Sequence, residues 1–321
     1  MPVFEMPLEE LRVYQGRNPR PRDFDSYWAD ALGELDALDS QVDMQPVDQP
    51  AAFADCFDLR FTGVGGARIY AKYLRPRALG STGHPAVVVF HGYSGSSPDW
   101  FALLPYVAQG FCVAALDCRG QGGRSEDVGG VAGNTLQGHI IRGLLDSPSK
   151  LLYRQIFLDC VQLTRIVMSL PEVDPTRLGA TGGSQGGGLT LACAALEPRV
   201  KLAAPIYPFL SDYQRTWEMD LAVDAYEELR QFFRRFDPRH ERAAETFTTL
   251  GYIDVQHLAA RIQARVLMAT GLMDRVCPPS TQFAAYNKIT SPKDMVIYPD
   301  FAHETLPNIA DRVFSFLCKH L

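Results

Sequence analysis

Arg177-Leu-Gly-Ala-Thr-Gly-Gly-Ser184-Gln-Gly-Gly-Gly-Leu-Thr-Leu-Ala runs a short apolar segment into a glycine-flanked serine, then into small and apolar helix formers. The pattern is G-x-S-x-G between a strand and a helix. A serine on so tight a strand-to-helix turn is strained, and its hydroxyl is lifted above the sheet. Gly182 and Gly186 flank it because a Cβ at either position would crowd the turn. The helix that follows points unpaired N–H groups and a partial positive charge at the same spot. Ser184 is therefore read as a nucleophile; the alternative is a glycine-rich turn with a capping serine.

Outward from this turn, short apolar runs recur, each followed by a helical segment. They are Ala86-Val-Val-Val-Phe, Phe111-Cys-Val-Ala-Ala-Leu, Leu202-Ala-Ala-Pro-Ile-Tyr, Arg265-Val-Leu-Met-Ala-Thr and Met295-Val-Ile-Tyr. Uninterrupted apolar strands alternating with helices predict an α/β fold, a mostly parallel central sheet with helices on both faces. Function in such sheets collects at the carboxyl ends of the strands. Asp58-Leu-Arg-Phe-Thr and Arg68-Ile-Tyr-Ala-Lys-Tyr-Leu alternate around Val64-Gly-Gly and predict an antiparallel hairpin. Residues 1–50 read as an acidic N-terminal extension with a helix near Phe24 to Leu38, where Phe24, Trp28, Leu32 and Leu35 share a face. From about 211 to 259 the alternation breaks into a helical pattern (Tyr226, Leu229, Phe232, Phe233, Phe236), expected to be an inserted cap on a single domain spanning 1–321. No internal repeat or low-complexity tract appears.

A serine hydroxyl needs a base within hydrogen-bond reach. On strand–serine–helix turns of this type the acid follows a later strand and the histidine follows the last. The run 265–270 leads into Gly271-Leu-Met-Asp274, and 295–298 leads into Pro299-Asp-Phe-Ala-His303-Glu, so His303 is the expected base and Asp274 its orienting acid. His257, His240 and His320 fall on expected surface helices, and His84 precedes a strand. His139 lies in an irregular segment that could line a pocket, while His91 ends a strand ahead of the nucleophile, the wrong order for the base. Among acids, Asp300 shares the loop of His303 and Asp117 ends an earlier strand. A developing oxyanion needs two fixed donors. The backbone N–H groups of Gln185 and of Tyr93, in Phe90-His91-Gly92-Tyr93-Ser94-Gly95, are the candidates, which leaves the Tyr93 side chain free to shape the acyl pocket.

The formal net charge of −6 and pI near 5.7 fit a soluble cytoplasmic protein and argue against a duplex nucleic-acid binder, which needs a basic face. The basic cluster from Arg230 to Arg242 is broken by Asp237 and Glu241 and reads as a solvated helix end. Met1-Pro-Val-Phe-Glu-Met shows neither the basic nor the apolar region of an export signal. No run approaches the roughly 18 apolar residues of a membrane span. Seven scattered cysteines without CxxC spacing are expected as free thiols in a reducing compartment, with no zinc site and no cofactor.

Three signatures, Arg119-Gly120-Gln121, Gly182-Gly-Ser184-Gln-Gly186 and His303-Glu304, together with Tyr207-Pro-Phe-Leu-Ser and Gly271-Leu-Met-Asp-Arg-Val-Cys-Pro-Pro-Ser-Thr-Gln, resemble a carbohydrate esterase of the family seven type, the cephalosporin C deacetylases and acetyl xylan esterases. The likeness runs over nearly the whole chain. It implies an α/β-hydrolase fold and a metal-independent serine esterase that removes acetyl groups from sugars, xylo-oligosaccharides and cephalosporin C. It also implies a homo-hexamer built as a trimer of dimers. Arg119, Gly120 and Gln121 are implied as structural support around the nucleophile loop, and Tyr93 and Phe209 as neighbours of the acetyl pocket. Two positions depart from the family pattern: His139 where many members carry tryptophan, and Ala225 where many carry proline. Both border the family's substrate path. The competing expectations are a serine peptidase of the prolyl type, for which about 80 residues ahead of the first central strand are too few to form a propeller, and a catalytically inactive hydrolase fold used for binding.

Overall fold

Apolar residues on both sides of a strand need cover on both sides, and the central strands of this chain receive it. The computed structural model describes residues 4–77, 83–128, 130–131 and 138–321. Met1 to Val3, the start of the stretch read for an export signal, lie outside the described residues. The strands are β1 (Asp43–Val47), β2 (Ala54–Thr62), β3 (Arg68–Pro76), β4 (His84–Phe90), β5 (Cys112–Leu116), β6 (Val173–Gly183), β7 (Leu202–Ile206), β8 (Arg265–Gly271) and β9 (Lys293–Tyr298). They form one sheet in the order β1-β2-β3-β5-β4-β6-β7-β8-β9. The expected hairpin is the antiparallel pair β2–β3, and β3 pairs antiparallel with β5. From β5 through β9 every pairing is parallel.

Alternate residues of β4 feed two different cores. Ala86, Val88 and Phe90 pack with the helices Leu152–Ser169 and Gln185–Leu196 on one face. Val87 packs on the other face with Leu103, Val107, Val313 and Leu317, from the helices Trp100–Ala108 and Ile309–His320. This two-sided burial is why the central strands carry no polar alternation.

The N-terminal helix forms over Phe24–Asp36. Trp28 is fully buried, stacks on Phe157 at 5.8 Å, and donates its indole N–H to the Tyr252 carbonyl at 3.0 Å. The stretch 1–50 is more than helical, because β1 forms the sheet edge. Its Asp-Met-Gln-Pro-Val sequence carries no strand signature, and Pro46 cannot donate to a ladder. Proline is tolerated there because the strand pairs on one side only. The chain between β7 and β8 holds the helices Tyr213–Glu218, Glu227–Phe236, Ala243–Leu250 and Val255–Leu258. All seven cysteines are free, six of them buried, and no helix among the described residues is long and apolar enough to cross a membrane. His257 departs from the surface placement expected for it. Its ring meets Phe24 edge-on at 5.9 Å, and burial lowers its pKa to about 3.

Trp28 joins the N-terminal helix to Phe157 below and to Tyr252 beside it. Truncating a buried aromatic to alanine leaves a cavity that costs about 3–5 kcal/mol. Trp28→Ala is expected to lower the unfolding free energy from urea titration by that amount, and a value within about 0.5 kcal/mol of the parent would show that the extension is not anchored through this ring.

Candidate active site

β4 and β6 end level, with Phe90 opposite Gly182, so the loop after β4 and the turn after β6 lie side by side. Ser184 sits on that turn with φ 57° and ψ −119°, a left-handed conformation that a non-glycine residue holds only when its surroundings force it. Its N–H donates to the Ile206 carbonyl at 3.0 Å, and its carbonyl accepts from Gly187, Gly188 and Phe209. A Cβ on Gly182 would stand 2.4 Å from the Phe90 oxygen, and one on Gly186 only 2.1 Å from it. Both glycines are thus required by the close approach of β4.

β8 and β9 also end level, Gly271 opposite Tyr298. Their loops continue as a zipper, Leu272 N–H to Tyr298 O and Met273 N–H to Phe301 O, both 2.9 Å. A Cβ on Gly271 would lie 2.4 Å from the Phe301 oxygen. The zipper brings Asp274 and His303 together: His303 Nδ1 is 2.8 Å from Asp274 Oδ2, and His303 Nε2 is 3.0 Å from Ser184 Oγ. Asp274 is fully buried, and its other oxygen accepts the N–H groups of Val276 and Cys277 at 2.9 and 2.8 Å. Its Oδ2 is left to the imidazole. The His303 side chain keeps 21% exposure, so the ring is not sealed in the core. The rivals are occupied elsewhere. Asp300 is exposed, and Asp117 accepts the N–H groups of Ser97 and Arg124. His91 spans the Gly92 carbonyl and the Cys118 N–H, and burial lowers its pKa.

Gln185 opens the helix Gln185–Leu196, so its N–H has no carbonyl one turn back to bond. Its side chain is fixed by a reciprocal amide pair with Gln121 at 2.9 and 3.0 Å and by the Tyr153 hydroxyl at 2.7 Å. In the Arg119-Gly120-Gln121 signature it is therefore Gln121 that touches the nucleophile turn. Arg119 reaches the other way: it grips buried Asp159 through two bonds of 2.7 and 2.6 Å and the Val64 carbonyl at 3.0 Å. Gly120 between them has φ +66° and lies against the Asp127 side chain. Tyr93 packs on His139 at 4.8 Å and on Phe209 at 5.7 Å. Phe209 is fully buried. His139 Nε2 bonds Ser94 Oγ at 3.0 Å, and burial lowers its pKa to about 4, so it is neutral at pH 7.

Three neighbours escaped the sequence reading. Tyr207 lies 4.7 Å from the His303 ring. The Cys277 thiol, buried and pushed up in pKa by that burial, lies beside Ser184. Glu228 is buried and bonds the Tyr93 hydroxyl and the Ile141 N–H. Its position four residues before Phe232 was a usable signal, since it puts a carboxylate on the apolar face of its helix. Among the described residues, Asp274, Cys277 and His303 are the one group placed to offer three metal donors, and two of these are already bonded to each other.

The acetyl xylan esterase (AXE1) family model matches residues 1–320. Acetyl Xylan Esterase 1 from Thermoanaerobacterium sp. JW/SL YS485 superposes with a TM-score of 0.96 at 57% identity, covering 98% of this chain and 99% of that one. The acetyl xylan esterase from Paenibacillus sp. R4 gives 0.93 at 37% identity, covering 98% of this chain and 100% of that one. Acetyl esterase Axe7A of Xylanibacter ruminicola is 28% identical over 291 residues, 89% of this chain. The chain spans 64% of the length of that larger relative. A match from end to end, on a sheet whose strand ends gather a serine, a histidine and an aspartate, means that the chain belongs to the acetyl xylan esterase family, carboxylic ester hydrolases on the α/β-hydrolase fold.

Proposed function

We propose that this protein is a serine esterase that removes acetyl groups from small acetylated sugars, xylo-oligosaccharides among them, and from cephalosporin C. The observation that carries this reading is the unbroken chain of bonds from Ser184 Oγ through His303 to Asp274. His303 Nε2 takes the Ser184 proton as Oγ attacks the acetyl carbonyl carbon. The resulting oxyanion accepts the backbone N–H groups of Gln185 and Tyr93, each such donor contributing about 3 kcal/mol in the transition state. When the carbon–oxygen bond to the sugar breaks, the imidazolium returns its proton to the departing oxygen. Water, deprotonated by the same nitrogen, then releases acetate from Ser184. Asp274 holds Nδ1–H throughout, so the nitrogen facing serine is free to accept.

The family match and the two close structural relatives support acetate as the acyl group. Phe209, Tyr93 and His139 support a short pocket, since the Tyr93 ring packs on both of the others. Assembly as a homo-hexamer and a cytoplasmic location are part of the same proposal. A sedimenting mass near that of one 35.6 kDa chain, or activity in medium from unlysed cells, would count against them.

Ser184→Ala is expected to lower kcat on p-nitrophenyl acetate by about 10⁵–10⁶-fold while the protein stays folded. Turnover at the parent rate would remove Ser184 from the chemistry.

Each added methylene must displace packed rings, an overpacking cost of about 1–3 kcal/mol. kcat/KM should therefore fall by at least about 10-fold from p-nitrophenyl acetate to butyrate, and further to octanoate. A flat series, or cleavage of a peptide anilide in preference to acetate, would contradict the acetyl reading.

A further inference from the structure

A carboxylate seldom sits on the buried face of a helix unless its charge is met there. Glu228 lies in the helix Glu227–Phe236, within the insertion between β7 and β8, and is 5% exposed. The Tyr93 hydroxyl donates to its Oε1, and the Ile141 N–H donates to its Oε2 at 2.9 Å. The His139 N–H in turn reaches the Tyr93 oxygen at 3.4 Å. One side chain thus ties three separate pieces of chain: the insertion helix, the loop after β4, and the segment 139–141. Two of these pieces carry residues assigned above to the oxyanion and to the pocket wall. Burial raises the Glu228 pKa to about 7, partly offset by the Tyr93 hydroxyl and the neighbouring backbone N–H groups.

We propose that Glu228 is a positioning residue for ester hydrolysis, one that holds the Tyr93 phenol so that the Tyr93 backbone N–H is set against the acyl oxygen. The assignment rests on the esterase reading above. Glu228 does not touch the reacting atoms; it acts through Tyr93. A fixed oxyanion donor lowers the barrier because it needs no reorganisation during the reaction. Losing the clamp therefore lowers kcat and leaves ground-state binding nearly unchanged. A carboxylate with a purely structural role would change the amount of folded enzyme and nothing in the turnover of each folded site.

The experiment is a double-mutant cycle on Glu228→Ala and Tyr93→Phe, with Glu228→Gln and Ser184→Ala alongside. Rates on p-nitrophenyl acetate are expressed per active site, counted by the burst of p-nitrophenol. Tyr93→Phe keeps the backbone N–H, so it tests the clamp apart from the oxyanion donor. Glu228→Ala and Tyr93→Phe should each lower kcat by about 10-fold or more, with KM within about 3-fold of the parent. The double variant should be no slower than the slower single, because both remove the same contact. Glu228→Gln should fall between parent and alanine, since its amide oxygen still accepts the phenol while its NH₂ opposes the Ile141 N–H. Should Glu228→Ala yield too little folded protein, the glutamine variant and Tyr93→Phe carry the comparison.

Singles within about 2-fold of the parent per site, beside an inactive Ser184→Ala, would overturn the positioning role and leave the esterase standing. Losses that multiply in the double variant would overturn it as well. Turnover surviving in Ser184→Ala would instead overturn the esterase reading on which it rests.

Discussion

The close approach of β4 and β6 at their carboxyl ends is the constraint on which the site depends. The Phe90 carbonyl lies so near the nucleophile turn that neither Gly182 nor Gly186 can carry a side chain. With that approach fixed, Ser184 has to take a left-handed backbone, and a residue held so costs about 1–3 kcal/mol. The surroundings absorb the cost. Its N–H is bonded to Ile206 and its carbonyl to Gly187, Gly188 and Phe209, and the helix behind it is buried along its whole length. The same approach brings His91–Tyr93 beside the serine, so the proposed nucleophile and the proposed oxyanion loop have one structural cause.

The second half of the site has a different cause. Asp274 and His303 are far apart in sequence, yet they meet because β8 and β9 end level and their loops continue the sheet's hydrogen bonding. Register is strongly specified wherever a strand buries a face, as β8 does. Here it sets the distance between Asp274 and His303. Gly271 shows how little slack remains, since the Phe301 and Ala302 carbonyls occupy the space its Cβ would need.

These causes explain what the sequence made legible. Ser184, Asp274 and His303 were readable because each stands at a fixed offset from an uninterrupted apolar strand, and strand order converts offset into place. The parallel strands and the helical pattern between β7 and β8 were readable for the same reason: a local period reports a local environment. β1 was hidden, because a short edge strand with proline needs no apolar face. Tyr207 was hidden because its meaning lies in a partner far along the chain, His303, and Glu228 showed its buried face in the helical period but not its partner, Tyr93. His257 read as a surface residue until the N-terminal helix was seen to cover it. The reach of Arg119 toward Asp159, away from the serine, was likewise invisible to spacing.

Under the proposed reading, pocket size and nucleophile position are a single property. Phe209 donates its backbone N–H to the Ser184 carbonyl at 3.0 Å, while its ring is wedged between Tyr93 and Tyr226 at 5.7 and 4.4 Å. A longer acyl chain could gain room by moving that ring. The backbone that carries the ring also holds the serine in its strained conformation, so displacing it disturbs the attacking oxygen. Overpacking of the pocket therefore reaches the chemistry directly, and discrimination against longer acids falls on the transition state more than on ground-state binding. A wall independent of the nucleophile would instead let long esters bind badly yet react normally once bound. Here the residue that limits the pocket also supports the turn, which makes a narrow acyl range a consequence of how Ser184 is held.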